Sequence, residues 1–464
     1  MSFPKHPPRR PRKARHRRAL TGVVLRMAIG TALIGAYFLF DLLYCLRIAP
    51  ANAYLGFVCR PANGYFSLLS LSFAVMPMAF LPVRFQRPSD WAVAMLYLFS
   101  YYPTALMVRH VLDETAAFAL LFLLLVSLAV LTSVRLLYPR AVPLRSFRLP
   151  SYLIAPEKRT TRVAFLVLAV VLALLYMWQA GFRLSIDLAN IYERRLAARA
   201  STGRVLGYMI SIGRSVLPVV MLYLFFATRR TVYLLLLAVP SLAIFSYDGT
   251  KTALLIPLFL GGVGYLAQGR NSLRRSLIYL IPLGALVGAA LEEAFWSSGI
   301  LRTYFVRRMF AVPGFLNGVY FDFFSTYPKV LLTDSIARAF LPPVYPVPTT
   351  FLIGSTYFLE TTNANTGIWM GWFAHFGVPG TLMVSVLAAL VLRAIDLLAQ
   401  GRALLGILSC TYIGILWSEQ MFHTSFLSGG VFYLLVVLLY FHHRGQRSGR
   451  THPYRPEQLL QGAS

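Results

Sequence analysis

The chain has 464 residues, 58% of them hydrophobic and 13% charged, with a formal net charge of +28. A water-soluble protein carries about 25% charged residues, so a soluble globule is excluded. Three cysteines, Cys45, Cys59 and Cys410, are too few for a disulfide scaffold, and no Cys/His spacing resembles a zinc site.

In chain order, a basic, Pro-rich tail (1–19) is expected to be disordered. Apolar stretches follow near 20–46, 64–81, 91–108, 115–137, 163–180 and 205–227, then 232–245, 252–267, 277–291, 367–392, 403–417 and 425–441. A bilayer core takes about 20 apolar residues per helix. The first stretch lacks a short apolar core with a cleavage site, so it reads as a retained span rather than a signal peptide. The prediction is an all-α, polytopic membrane protein of about 12 transmembrane helices over 20–442, ending in a second basic tail (443–464).

Charge assigns the sides. Placing both termini in the cytoplasm puts 29 of the 44 Lys/Arg inside with only four acids, leaving 15 basic and 12 acidic residues outside. That is the positive-inside pattern. The basic excess then reflects topology and attraction to anionic lipid heads, and no nucleic-acid partner is expected. Cys45 and Cys59 fall near the outer end of the first hairpin, where a disulfide is open to them.

Two outer segments exceed mere connections, 181–204 and 292–366, and long loops of this kind are usually functional. Residues 323–340 interleave apolar and polar side chains, which predicts a helix lying in the membrane interface. Prolines 342, 343, 346 and 348 then force an extended return.

A charge near the bilayer is paired, hydrated or used. Arg204 closes the first long outer segment, and Arg214 sits about ten residues into the span that follows. Asp248, Gly249, Thr250 and Lys251 form a tight outer turn. Arg302, Arg307 and Arg308 open the larger loop and call for an anionic partner: Glu292, Glu293, Asp322, or a phosphate gripped by the planar guanidinium fork. Tyr320, Asp322, Glu360, Asn365 and Thr366 follow. His375 lies in the next span between Phe373 and Phe376, where packing competes with chemistry. Glu419 and His423 form an i, i+4 pair at an outer turn. Outer aromatics such as Trp296, Tyr304 and Trp369 suit a membrane belt or stacking on sugar rings.

The segments YDGTKTALL (from Tyr247), RRMFAVPGFLNGVYFDFF (from Arg307) and NANTGIWMGWFAHFGVPG (from Asn363) resemble the Wzy-type O-antigen and oligosaccharide repeat-unit polymerases of bacteria. The resemblance covers roughly 204–380. It implies a GT-C-type glycosyltransferase of the inner membrane that joins undecaprenyl-pyrophosphate-linked oligosaccharides on the periplasmic side. It also implies no nucleotide sugar, no metal and no other cofactor, with a chain-length-determining co-polymerase as a partner besides membrane lipids. Lys251 matches the family's basic residue after a Gly-containing turn, Arg307 and Arg308 its arginine-rich loop start, and Asn365 with 377–380 its Asn-then-Gly pattern. The related O-antigen ligases carry histidine immediately before such an asparagine; here that position is Ala364.

The chemistry expected is attack of a sugar hydroxyl on an anomeric carbon as lipid pyrophosphate leaves. Fixed cations stabilise that leaving group, which nominates Arg204, Arg214, Lys251, Arg307 and Arg308, with Tyr320 and Asn365 as further substrate contacts. A proton acceptor for the hydroxyl nominates Asp322, Glu360 and His375. Competing expectations are an O-antigen ligase acting on lipid A core and a lipid-linked oligosaccharide flippase. Many transporters show internal repeats, and none is apparent here.

Overall fold

The computed structural model describes residues 12–61, 63–137, 158–179, 181, 198, 203–269, 272–296, 299–358 and 362–447. Among these the chain is all-helical. Residues 1–11 and 448–464 of the tails, the 138–157 connection and most of 181–204 lie outside the described residues; the N-terminal tail expected to be disordered is helical from Arg12 onward.

The helices are α1 (Arg12–Leu43), α2 (Gly64–Val75), α3 (Pro88–Leu96), α4 (Tyr102–Val111), α5 (Glu114–Leu137), α6 (Lys158–Gln179), α7 (Arg204–Thr228), α8 (Val232–Asp248), α9 (Thr252–Ala267) and α10 (Ile281–Phe295). The second half adds α11 (Val312–Thr326), α12 (Thr349–Tyr357), α13 (Ile368–Leu398), α14 (Ala403–Glu419), α15 (Phe422–Leu427) and α16 (Val431–Arg447). Among the described residues, six helical stretches are long and apolar enough to cross a membrane: Gly22–Ala51, Pro88–Val111, Glu114–Leu137, Leu206–Thr228, Leu273–Phe295 and Ile368–Leu398. The other six expected spans contain shorter apolar helices of 10–17 residues. The protein is therefore a helical membrane protein.

The α3–α4 stretch is the axis of the bundle. Its apolar window is wholly buried, so every polar group on it must find a partner within the protein. Tyr97, Tyr101 and Tyr102 donate their hydroxyls to the carbonyls of Ala74, Phe73 and Leu33, tying the axis to α2 and α1. At the opposite end from the disulfide, Asp90 pairs with Arg135 at 2.8 Å, and Ser89 bonds both Arg135 and Asp396. This cluster joins α3, α5 and α13.

At the other end Cys45 and Cys59 form a disulfide. Arg60 beside it bonds the carbonyls of Val111 and Leu112, satisfying the end of α4.

Much of the 292–366 segment is helical rather than looped. A π-helical stretch, Arg302–Ala311, runs into α11, whose residues from Gly314 to Phe324 are buried with the exception of Asp322. Gly314 allows α11 to lie on α4, because a Cβ there would stand 2.2 Å from the Pro103 carbonyl. Asn317 on the same face bonds Thr104 at 2.7 Å and accepts from Thr366 at 2.8 Å.

The interfacial helix expected over 323–340 does not form. α11 stops at Thr326, because Pro328 forces Tyr327 out of helical geometry (φ −99°, ψ 159°). Leu331 and Leu332 then take left-handed backbone (φ 53° and 59°), and only a short 3-10 turn, Ile336–Ala339, follows. The proline-rich stretch after it is non-helical until α12, as expected.

α13 breaks at Gly377 (φ 64°, ψ −147°), and Pro379 has no N–H to return to the His375 carbonyl. The freed carbonyls of Ala374 and His375 accept instead from Val330 and Leu331, at 3.0 and 3.3 Å. The break in α13 thus fixes the left-handed loop against it.

Candidate functional site

The tight turn between α8 and α9 begins at Gly249, which is left-handed (φ 64°). Asp248 accepts from the Thr250 N–H at 2.8 Å. Arg214, from α7, pairs with Asp248 and donates to Thr250 Oγ1 at 2.8 Å. The arginine inside a span is therefore neutralised by the turn. Lys251 stands over the Tyr304 ring, with Nζ 3.6 Å from the centroid. Tyr304 lies one helical turn before Arg308, and Arg308 acts electrostatically on Glu419 at the end of α14. Arg308 and Glu419 are both exposed. Tyr412, two turns earlier on α14, feels both Arg214 and Glu419. Three of the expected cations, Arg214, Lys251 and Arg308, thus come from three chain segments linked through the α8–α9 turn and Tyr304, with Asp248 beside Arg214 and Glu419 acted on by Arg308.

Arg307 takes another direction. It donates to Asn52 Oδ1 at 2.7 Å, and with Arg302, Thr303, Ile48, Asn52 and Tyr54 it lines a cavity of about 260 Å³. The disulfide-closed loop 45–59 forms one wall. Arg302 pairs with Glu293, which answers its need for an anion within the protein. Glu292 instead accepts the Ile300 and Leu301 N–H groups at 2.8 and 2.7 Å, capping the following helix.

The candidates for proton transfer separate as well. Asp322 is exposed and accepts from the Tyr357 hydroxyl at 2.8 Å. Burial, reinforced by Asp322, holds the Tyr357 phenol above its ordinary range. Tyr320 is buried and donates to the Ala364 carbonyl at 2.8 Å. Together with the Thr366–Asn317 bond it pins the backbone on both sides of Asn365, which is itself exposed. Glu360 and the Arg204 side chain lie outside the described residues.

His375 is fully buried, and its Nδ1 accepts the Leu332 N–H at 3.2 Å. Its ring stands edge to face with His423 of α15, centroids 5.3 Å apart. Asp334, held through Thr349, acts on both imidazoles. Asn52, Asp334, Glu419 and His423 are the residues that sequence reasoning did not place in the site. The i, i+4 spacing of Glu419 and His423 was the available signal.

Among the described residues one group brings three potential metal-ligand atoms within 4.8 Å: Cys45, Cys59 and His110. Its two sulfurs are bonded to each other, so neither is a thiolate ligand.

No protein-family model matches the chain, and neither a curated protein nor a solved structure does.

Proposed function

We propose that the protein is a polymerase joining polyprenyl-pyrophosphate-linked oligosaccharide repeat units at the end of the bundle that carries the disulfide. The observation carrying this reading is that Arg214 and Lys251 meet at the α8–α9 turn, Lys251 stacking on Tyr304 one turn before Arg308, which acts on Glu419. Glycosyl transfer from a pyrophosphate carrier develops negative charge on the leaving phosphate, and pre-oriented cations stabilise it. Arg214 lies on α7, one of the helices long and apolar enough to cross a membrane, which suits a donor whose carrier stays in the bilayer. In this reading the membrane is the bacterial inner membrane, both termini are cytoplasmic and the site is periplasmic. The resemblance of the 204–380 region to Wzy-type polymerases points the same way.

The test is deletion of the gene in its own host, followed by the length profile of surface polysaccharide. A product stopped at one repeat supports the polymerase. An uncapped lipopolysaccharide core contradicts it and favours a ligase or a flippase.

A further inference from the structure

His423 lies outside the cation cluster, yet its neighbourhood is built as a proton-transfer site. The Leu332 N–H donates to His375 Nδ1, so that nitrogen is the acceptor and the neutral ring carries its proton on Nε2. His375 is therefore a fixed N–H donor. This tautomer also excludes His375 Nε2 as a metal ligand, because its lone pair is occupied by the proton.

Beside it the buried polar atoms are unusually numerous. His375 Nε2, His423 Nδ1, Asp334 Oδ1 and Trp372 Nε1 have no hydrogen-bond partner among the described residues. Buried polar groups are paired in more than about 90% of cases, so four such atoms on adjoining elements ask for a polar guest. His375 and Trp372 supply donors, and Asp334 supplies an acceptor. A hydroxyl, which donates and accepts at once, matches that set.

The backbone that holds the pair is strained. Two consecutive leucines, Leu331 and Leu332, are left-handed, a backbone region that crowds the Cβ of an L-residue. Such strain concentrates where geometry serves function.

Location ties the pair to the cations. His423 follows Glu419 by four residues, a reach of at most about 14 Å, and Glu419 is the acid on which Arg308 acts.

We infer that this cluster binds the acceptor sugar hydroxyl, with His423 as the proton acceptor and His375 as the residue that positions it. The inference rests on the polymerase reading above. The hydroxyl oxygen forms the new bond to the anomeric carbon as its proton passes to His423 Nδ1. The anomeric carbon–oxygen bond to pyrophosphate breaks, and its electron pair leaves with the lipid pyrophosphate. The titratable groups that bear on His423 are Asp334 on the loop and His375 on α13, whose ring it meets, with Glu419 of α14 four residues before it in the chain. Burial holds the His423 imidazole below its ordinary pKa of 6.5, against the pull of Asp334. The neutral, proton-accepting form is thus the one present at neutral pH.

The experiment uses the full-length protein in vesicles, with lipid-linked repeats extracted from its host, and reads kcat and KM against pH. Wild-type polymerisation should fall as pH drops below 6.5. His423→Asn should lower kcat at least about 100-fold, the scale of a general base, with KM little changed. His375→Gln, which keeps an N–H near the Nε2 position, should retain more activity than His375→Phe. Non-reducing gels that retain the Cys45–Cys59 disulfide establish that each variant is folded. Polymerisation by wild type and by His423→Asn at equal kcat overturns the inference alone. No polymerisation by folded wild type overturns the polymerase reading and the inference with it.

Discussion

Lys251 stands over the ring of Tyr304, its ammonium nitrogen 3.6 Å from the centroid. This contact joins the α8–α9 turn to the π-helical stretch that carries Arg308, and so sets where two of the three clustered cations point. Tyr304→Phe keeps a π face and should leave polymer yield within about twofold. Tyr304→Leu loses the cation–π attraction, worth about 0.5–2 kcal/mol, and should raise KM for lipid-linked repeats about 3- to 30-fold. Steady-state kinetics on the two variants checks it.

Arg214 depends on Asp248 for compensation of its charge. Asp248→Asn removes the anion that pairs with Arg214, a cation on the membrane-spanning α7. The Arg214 side chain is 27% exposed, so solvent screens part of the loss. We expect about 1–3 kcal/mol of destabilisation, read as a lower midpoint in thermal unfolding in detergent. The double variant Asp248→Asn/Arg214→Gln should recover part of that loss while losing activity.

The Asp90–Arg135 pair is buried at the opposite end, with side chains 6% and 2% exposed. Arg135→Met strands Asp90 and should cost about 3–5 kcal/mol. Adding Asp90→Asn should restore part of the thermal midpoint, because the uncompensated charge is then gone. Equal midpoints for the single and double variants would show that the pair does not bear the stability assigned to it.

The Cys45–Cys59 disulfide closes the loop that presents Asn52 to Arg307. Replacing both cysteines by serine should cost about 2–4 kcal/mol and loosen that wall of the cavity. The measurements are the mobility difference between reduced and oxidised protein on gels and the thermal midpoint of the double variant. Wild type should shift on reduction, and Cys45→Ser/Cys59→Ser should not.

Much of the helical plan is legible because apolar run length dictates it: α5 and α8, for example, begin and end within a few residues of the stretches expected. The 292–366 segment was less legible. α11 is 15 residues long, too short to read as a span, yet its aromatic run is buried because Gly314 lets it lie directly on α4. Arg307 and Arg308 look like one anionic-ligand motif in sequence. On a helix, neighbours point about 100° apart, and here Arg307 bonds Asn52 while Arg308 acts on Glu419. His375 and His423 are distant in sequence, and no local pattern announces their contact. The loop carrying Asp334 meets them only because Gly377 and Pro379 free two carbonyls to hold it.

The most direct test of the central claim is polymerisation in a purified system. Wild-type protein and the Arg308→Ala variant, each in vesicles with lipid-linked repeats from the host, are compared by the length of the glycan formed. Wild type should form a ladder of multiple repeats, and Arg308→Ala should lose at least about 100-fold, the scale of removing one group that stabilises developing charge. A full ladder from folded, membrane-inserted Arg308→Ala would contradict that claim.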